Sequence, residues 1–111
     1  MTYLPTTERA QRLATEIFEF AVRNNPVPTR RELTGEHPTF FVWKMGHTND
    51  LTVRIYPDGW SDDEKSEDET YDVYLSPNEY TTAKEIETHL EKVLARMAEV
   101  MNEWEAKQHD K

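Results

Sequence analysis

The chain has 111 residues, no cysteine and a formal net charge of −9. That length suits one domain, 1–111. The missing cysteines exclude disulfides, thiolate metal sites and a cysteine nucleophile. The charge disfavours phosphate backbones and anionic membranes and suits a basic protein partner.

No apolar run approaches the roughly 20 residues of a membrane helix. Met1 to Pro5 lack the basic start and apolar core of a signal peptide, so a cytoplasmic location is expected.

The spacing predicts a first helix over residues 6–24. Thr6 or Thr7 can cap it, and Ala10, Leu13, Ala14, Ile17, Phe20 and Ala21 recur on one face. Phe18 and Val22 widen that stripe. Asn24-Asn25-Pro26 ends the helix, because a residue before proline disfavours helical dihedrals. Pro26 to Pro38 reads as a connector. Inside it Thr29-Arg30-Arg31-Glu32 fits a capping box, with Leu33 behind it and Gly35 as a stop.

Ile17 to Leu33 resembles the first two helices of a winged helix-turn-helix of the LexA repressor type. The resemblance implies a recognition helix next. Gly35-Glu36-His37-Pro38 and a strand stand there instead, so DNA reading is not carried over.

Three strands are predicted at 39–45, 51–56 and 70–75. Their apolar residues all fall on odd positions: Phe41, Trp43 and Met45, then Leu51, Val53 and Ile55, then Tyr71, Val73 and Leu75. Alternation places each set on one face. Taking Gly46 to Asp50 as the hairpin loop sets Met45 opposite Leu51, Trp43 opposite Val53 and Phe41 opposite Ile55. A one-residue slip would turn Lys44 toward the core. The even face carries Lys44, Thr52, Arg54, Tyr56, Asp72 and Tyr74, with Phe40 and Val42 near one end.

Between strands two and three, Ser61 to Asp72 holds seven acids and one lysine. Residues 61–69 are expected to form a flexible, solvated loop. Counted from Asp58, its oxygen side chains miss the calcium-loop pattern, because Trp60 and Asp63 occupy positions that need a ligand and a glycine.

A long helix is predicted over 77–107. Ser76-Pro77-Asn78-Glu79 is one start signal and Thr82-Ala83-Lys84-Glu85 a second. Ala83, Ile86, Leu90, Val93, Leu94, Met97, Val100, Met101 and Trp104 form its stripe. Its main part from Ala83 measures roughly 38 Å against about 20 Å for a strand. The overhang at Val100, Met101 and Trp104 is therefore expected to self-associate, giving a homodimer through the C-terminal helix.

The expected fold is α+β: a two-layer α-β-β-β-α domain, with a three-stranded antiparallel meander and both helices on one face. The helix order is similar to that of the double-stranded-RNA-binding domain. That family needs a lysine-rich start to its second helix, whereas Glu79, Glu85, Glu87 and Glu91 surround one lysine here, so direct nucleic-acid binding is not expected.

His37, His47, His89 and His109 include no i, i+4 pair, so no metal site is expected. No nucleophile motif or phosphate loop is present, and neither an enzyme nor a cofactor is expected. The reading is a small acidic protein-interaction module of adaptor, chaperone-like or immunity-like type. Two surfaces are assigned to a protein partner. One is the even sheet face with Lys44, Arg54, Tyr56 and Tyr74. The other is the acidic run Asp62, Asp63, Glu64, Glu67, Asp68 and Glu69. The alternative is an acidic nucleic-acid mimic, of the kind phages encode, that inhibits a DNA- or RNA-binding protein.

Overall fold

A computed structural model describes residues 2–25, 37–60 and 68–109. The elements are α1 (Glu8–Asn24), β1 (Thr39–Met45), β2 (Asp50–Tyr56), β3 (Glu69–Tyr74) and α2 (Ala83–His109). The strands form one antiparallel sheet in the order β1-β2-β3. Both helices pack on one side of it around a single core, which is the expected two-layer architecture. The capping box at 29–32 and the acids Asp62, Asp63, Glu64 and Glu67 lie outside the described residues.

Helix α1 starts where Thr7 Oγ1 accepts the Ala10 N–H at 3.1 Å. It buries Ala10, Leu13, Ile17 and Ala21, with Ala14 and Phe20 packed alongside. Phe18 and Val22 do not join that stripe, and Val22 is 81% exposed. They sit about 100° and 140° around the helix from Ile17, beyond the reach of the sheet.

Helix α2 begins at Ala83, six residues after Pro77. Asn78 is the reason. Its Oδ1 accepts the N–H groups of Tyr80 (2.8 Å) and Thr81 (3.1 Å), and its own N–H donates to the Thr81 carbonyl. This closed turn competes with helix. The second start signal is the working one, with Thr82 Oγ1 accepting the Glu85 N–H at 3.1 Å. The helices run in the same direction, since Thr7 and Arg9 meet Glu87 and Glu91 at their N-terminal ends.

Strands β2 and β3 keep the expected parity. Leu51 pairs with Val73 and Val53 with Tyr71. Leu51, Val53, Ile55, Val73 and Leu75 are all buried. Strand β1 is turned over. Phe40 pairs with Ile55, Val42 with Val53 and Lys44 with Leu51. Phe41, Trp43 and Met45 therefore face away from the helices, and each of their three expected pairings is off by one residue.

The hairpin loop causes the shift. It closes over Gly46 to Asn49, and Asp50 already belongs to β2. Asn49 adopts φ 50°, a left-handed conformation that asparagine tolerates better than most residues. One residue fewer in the loop moves every β1 side chain to the other face. Lys44 does not forbid this register, because it lies on an edge strand and stays exposed. Its apolar stem can follow the sheet while the ammonium reaches water.

Candidate functional site

The turned-over strand creates a surface that odd-position parity placed inside. On the face opposite the helices, Phe41, Trp43, Met45 and Tyr74 are 37%, 39%, 41% and 61% exposed. Single exposed apolar residues are ordinary, but large apolar groups gathered on one sheet face are not. Phe41 anchors the patch. Its ring packs edge-on against Tyr56 at 5.5 Å and Trp60 at 6.3 Å. Trp60 is brought there by the turn after β2, where Gly59 takes φ 91° and donates to the Tyr56 carbonyl.

Arg54 crosses the middle of this face. Its guanidinium carbon lies 5.8 Å from the Trp43 ring centroid, a cation–π contact. Its Nε is 3.3 Å from Asp68 Oδ2, and that N–H has no hydrogen-bond acceptor among the described residues. The Tyr56 side chain first, then Asp68 and Asp72, hold the guanidinium above its usual pKa. Beside it Thr52 donates to Asp72 Oδ1 at 2.6 Å. The face thus combines aromatic rings, one oriented cation and satisfied polar groups.

At the hairpin end the face opens into a cleft of about 620 Å³. Tyr3, Tyr74 and Tyr80 line it together with His47, Asn49 and Asn78. Asn49 holds the wall, donating to Thr6 Oγ1 at 2.9 Å and to Ser76 Oγ at 2.6 Å. The Leu4 N–H donates to the Pro77 carbonyl at 2.8 Å and fixes the segment that carries Tyr3. Tyrosines with exposed hydroxyls and little rotamer freedom are typical contact residues in protein interfaces.

The expected sheet-face residues divide. Arg54, Tyr56, Tyr74, Thr52 and Asp72 belong to the open face by register, but Tyr56 and Thr52 are buried within it, so Tyr56 supports Phe41 and does not meet a partner itself. Lys44, Phe40 and Val42 do not: they share the parity that faces the helices, and Phe40 is buried. Trp60, Tyr3 and Tyr80 were not among the residues assigned from sequence. The signal for the β1 set was Asn49 itself, whose tolerance of left-handed dihedrals favours a four-residue loop.

The acidic run also divides. Asp68 accepts from Thr70 Oγ1 at 2.7 Å and pairs with Arg54. Glu69 is no part of a loop. It opens β3 with helix-side parity, and Arg96 of α2 grips it with two bonds of 2.8 and 2.7 Å. The Tyr71 hydroxyl donates to the same carboxylate at 2.9 Å. These bonds, Arg96 foremost, hold Glu69 below the usual carboxylate range against the opposing effect of burial. Burial first, and Glu69 second, push the Tyr71 hydroxyl up.

The expected overhang is covered by the chain itself. Val100 and Met101 are 2% and 6% exposed within the core. Trp104 is half-buried, with its ring 4.4 Å from that of His37. The segment entering β1 reaches this end of α2, so the apolar stripe has no bare stretch to offer a second helix.

Among the described residues no group of three or more His, Cys, Asp or Glu side chains could hold a metal ion. None of the described helices is long and apolar enough to cross a membrane. Comparisons with protein-family models, curated proteins and solved structures find no match to the chain.

Proposed function

We propose that this chain is a non-catalytic protein-interaction module, acting in the cytoplasm, that docks a basic protein partner on the open face of its sheet. The observation that carries the reading is the exposed row Phe41, Trp43 and Met45 on β1, with Arg54 against Trp43 and Tyr74 at the hairpin end of the same face. Interfaces concentrate binding energy in aromatic and arginine anchors near their centre. The tyrosine cleft extends the same surface through Tyr74. The net charge of −9 steers a basic partner toward it and repels nucleic acid.

A nucleic-acid mimic has less support. Mimicry needs free carboxylates, and the two described acids of the run, Asp68 and Glu69, each face an arginine, Arg54 and Arg96.

Photocrosslinking in the native cell tests the proposal. A photoreactive residue at Tyr74 is expected to capture a defined protein, and the same residue at Glu105 on the far end of α2 is not. Replacing the acids of segment 62–67 with serine is expected to leave capture intact. Capture of nucleic acid at Tyr74, or no capture there, would overturn the reading. Loss of capture in the serine variant would move the site to the acidic segment.

A further inference from the structure

We propose that two copies of this chain pair through the outer edge of β1, antiparallel about a two-fold axis at Trp43, and so build one six-stranded sheet. The inference does not rest on the docking role given to the open face. It rests on how the edge of β1 is occupied.

Among the described residues strand β1 has β2 as its one strand neighbour. At the start of its outer edge the Asn25 side chain stands in for a missing strand. Asn25 Oδ1 accepts the Phe40 N–H at 2.7 Å, and Asn25 Nδ2 donates to the Phe40 carbonyl at 2.9 Å. The backbone groups of Phe40 therefore point away from β2. Alternation along a strand turns those of Val42 and Lys44 the same way. Among the described residues nothing pairs with them. Unpaired edges invite strand addition unless charge, proline or a covering element blocks them; the one charge on this edge, Lys44, would stand opposite Val42 of a second copy and not opposite its Lys44.

The occupant is a second copy because the exposed ridge of α1 and the acid-free strand both suit an axis at Trp43, the midpoint of the open window. In an antiparallel pair Val42 of each copy exchanges both backbone bonds with Lys44 of the other, giving about four hydrogen bonds. Phe40 is already held by Asn25, and Gly46 lies in the hairpin loop, so the window ends at the same distance on both sides. On the open face Trp43 then meets Trp43 across the axis, and Phe41 meets Met45. Cross-strand aromatic pairs of this kind stabilise sheets.

The helix layer fits the same axis. Phe18, Val22 and Asn25 recur at i, i+4 and i+7 on α1, so the exposed Phe18–Val22 ridge runs along the side that clamps the β1 edge. The helix runs opposite to β1. Seven residues back from Asn25 is about 10.5 Å along α1, and three residues on from Phe40 is about 10 Å along β1. Phe18 thus lies level with Trp43, and the two-fold axis brings the two Phe18 side chains together above the join.

Charge permits the strand contact: each copy carries −9, and no acidic residue occurs from His37 to Asn49, while on the helix layer Glu19 and Arg23 lie beside the Phe18–Val22 ridge. An unrelated extended peptide would need neither the two-fold match nor the Phe18 ridge.

Sedimentation equilibrium of the full chain is expected to give twice 13.1 kDa at micromolar concentration, with tighter association as salt screens the repulsion between copies. Trp43→Lys places like charges on the axis. Lys44→Pro removes a donor that faces the second copy and leaves the β2 ladder intact. Phe18→Glu sets two carboxylates together above the join. All three are expected to sediment as monomers. A covalent test needs no loss of function: at the axis the two Cα atoms approach about 4.5 Å, within disulfide range. Trp43→Cys should oxidise rapidly to a covalent dimer, and Asp72→Cys on β3 should not. A wild-type monomer, a dimer that survives these substitutions, or equal crosslinking at both cysteine positions would overturn the proposal.

Discussion

Strands β1 and β3 are the two edges of one sheet, yet they are built differently. Strand β3 begins on Glu69, carries Asp72 and turns one large apolar side chain, Tyr74, to the open face. Strand β1 has no acid, one lysine, and three large apolar groups on that face. Charge on an edge strand discourages pairing, and β1 carries one charge, Lys44, where β3 carries two acids. The difference teaches that burial alone does not account for the composition of β1. A strand needed solely to cover the core would bury Phe40 and Val42 and put polar residues at 41, 43 and 45.

The sharpest way to break this comparison is to truncate one residue on each face of β1. Phe40 is buried against Phe20, whereas Trp43 lies on the open face. In urea unfolding of dilute, monomeric protein, Phe40→Ala should lower stability by about 3–5 kcal/mol. Trp43→Ala should cost about 1 kcal/mol, because much of its ring already meets water. Equal costs would mean that β1 has no exposed face.

A smaller effect is expected from Asn25, which distinguishes the start of the β1 edge from its open remainder. Asn25→Ala removes both bonds to Phe40 and should cost about 1–2 kcal/mol. It should also raise amide exchange at Phe40 toward that of Val42 and Lys44 in the monomer. Unchanged exchange at Phe40 would show that the clamp does not protect the edge.

The smallest effect concerns the charged edge. Arg96 holds Glu69 below its ordinary pKa of 4.5. The unfolded chain therefore takes up the proton first. The stabilisation, about 1 kcal/mol for a half-exposed bidentate pair, is present above pH 4.5 and fades as pH falls through the depressed value. Glu69→Gln should be less stable than the parent at pH 7 and equal to it well below pH 4. A difference that persists in acid would assign it to packing.

Much of the fold was legible because two periodicities were clean. The α1 and α2 stripes and the odd positions of β2 and β3 each point to one buried face, and the core follows from them. The face of β1 was not legible from alternation, because both of its faces are apolar: Phe40 and Val42 on one side, Phe41, Trp43 and Met45 on the other. Parity cannot choose between two greasy faces, so the choice passed to a single loop residue, Asn49. The candidate site inherited that ambiguity. Arg54, Tyr56 and Tyr74 were found because β2 and β3 were read correctly, while their aromatic neighbours on β1 were assigned to the core. The start of α2 failed for a related reason. A capping signal at Ser76 was local and sound, but Asn78 closed a turn two residues later. The covering of Val100 and Met101 depends on how the distant segment before β1 meets α2, which no spacing within the helix records.

The orientation of β1 can be read directly by thiol labelling, since the chain has no cysteine of its own. Single substitutions Phe40→Cys, Phe41→Cys, Val42→Cys and Met45→Cys would be treated with a maleimide in the folded protein. Positions 41 and 45 should label much faster than 40 and 42, which should be protected. Protection at 41 and 45 with rapid labelling at 40 and 42 would contradict the account.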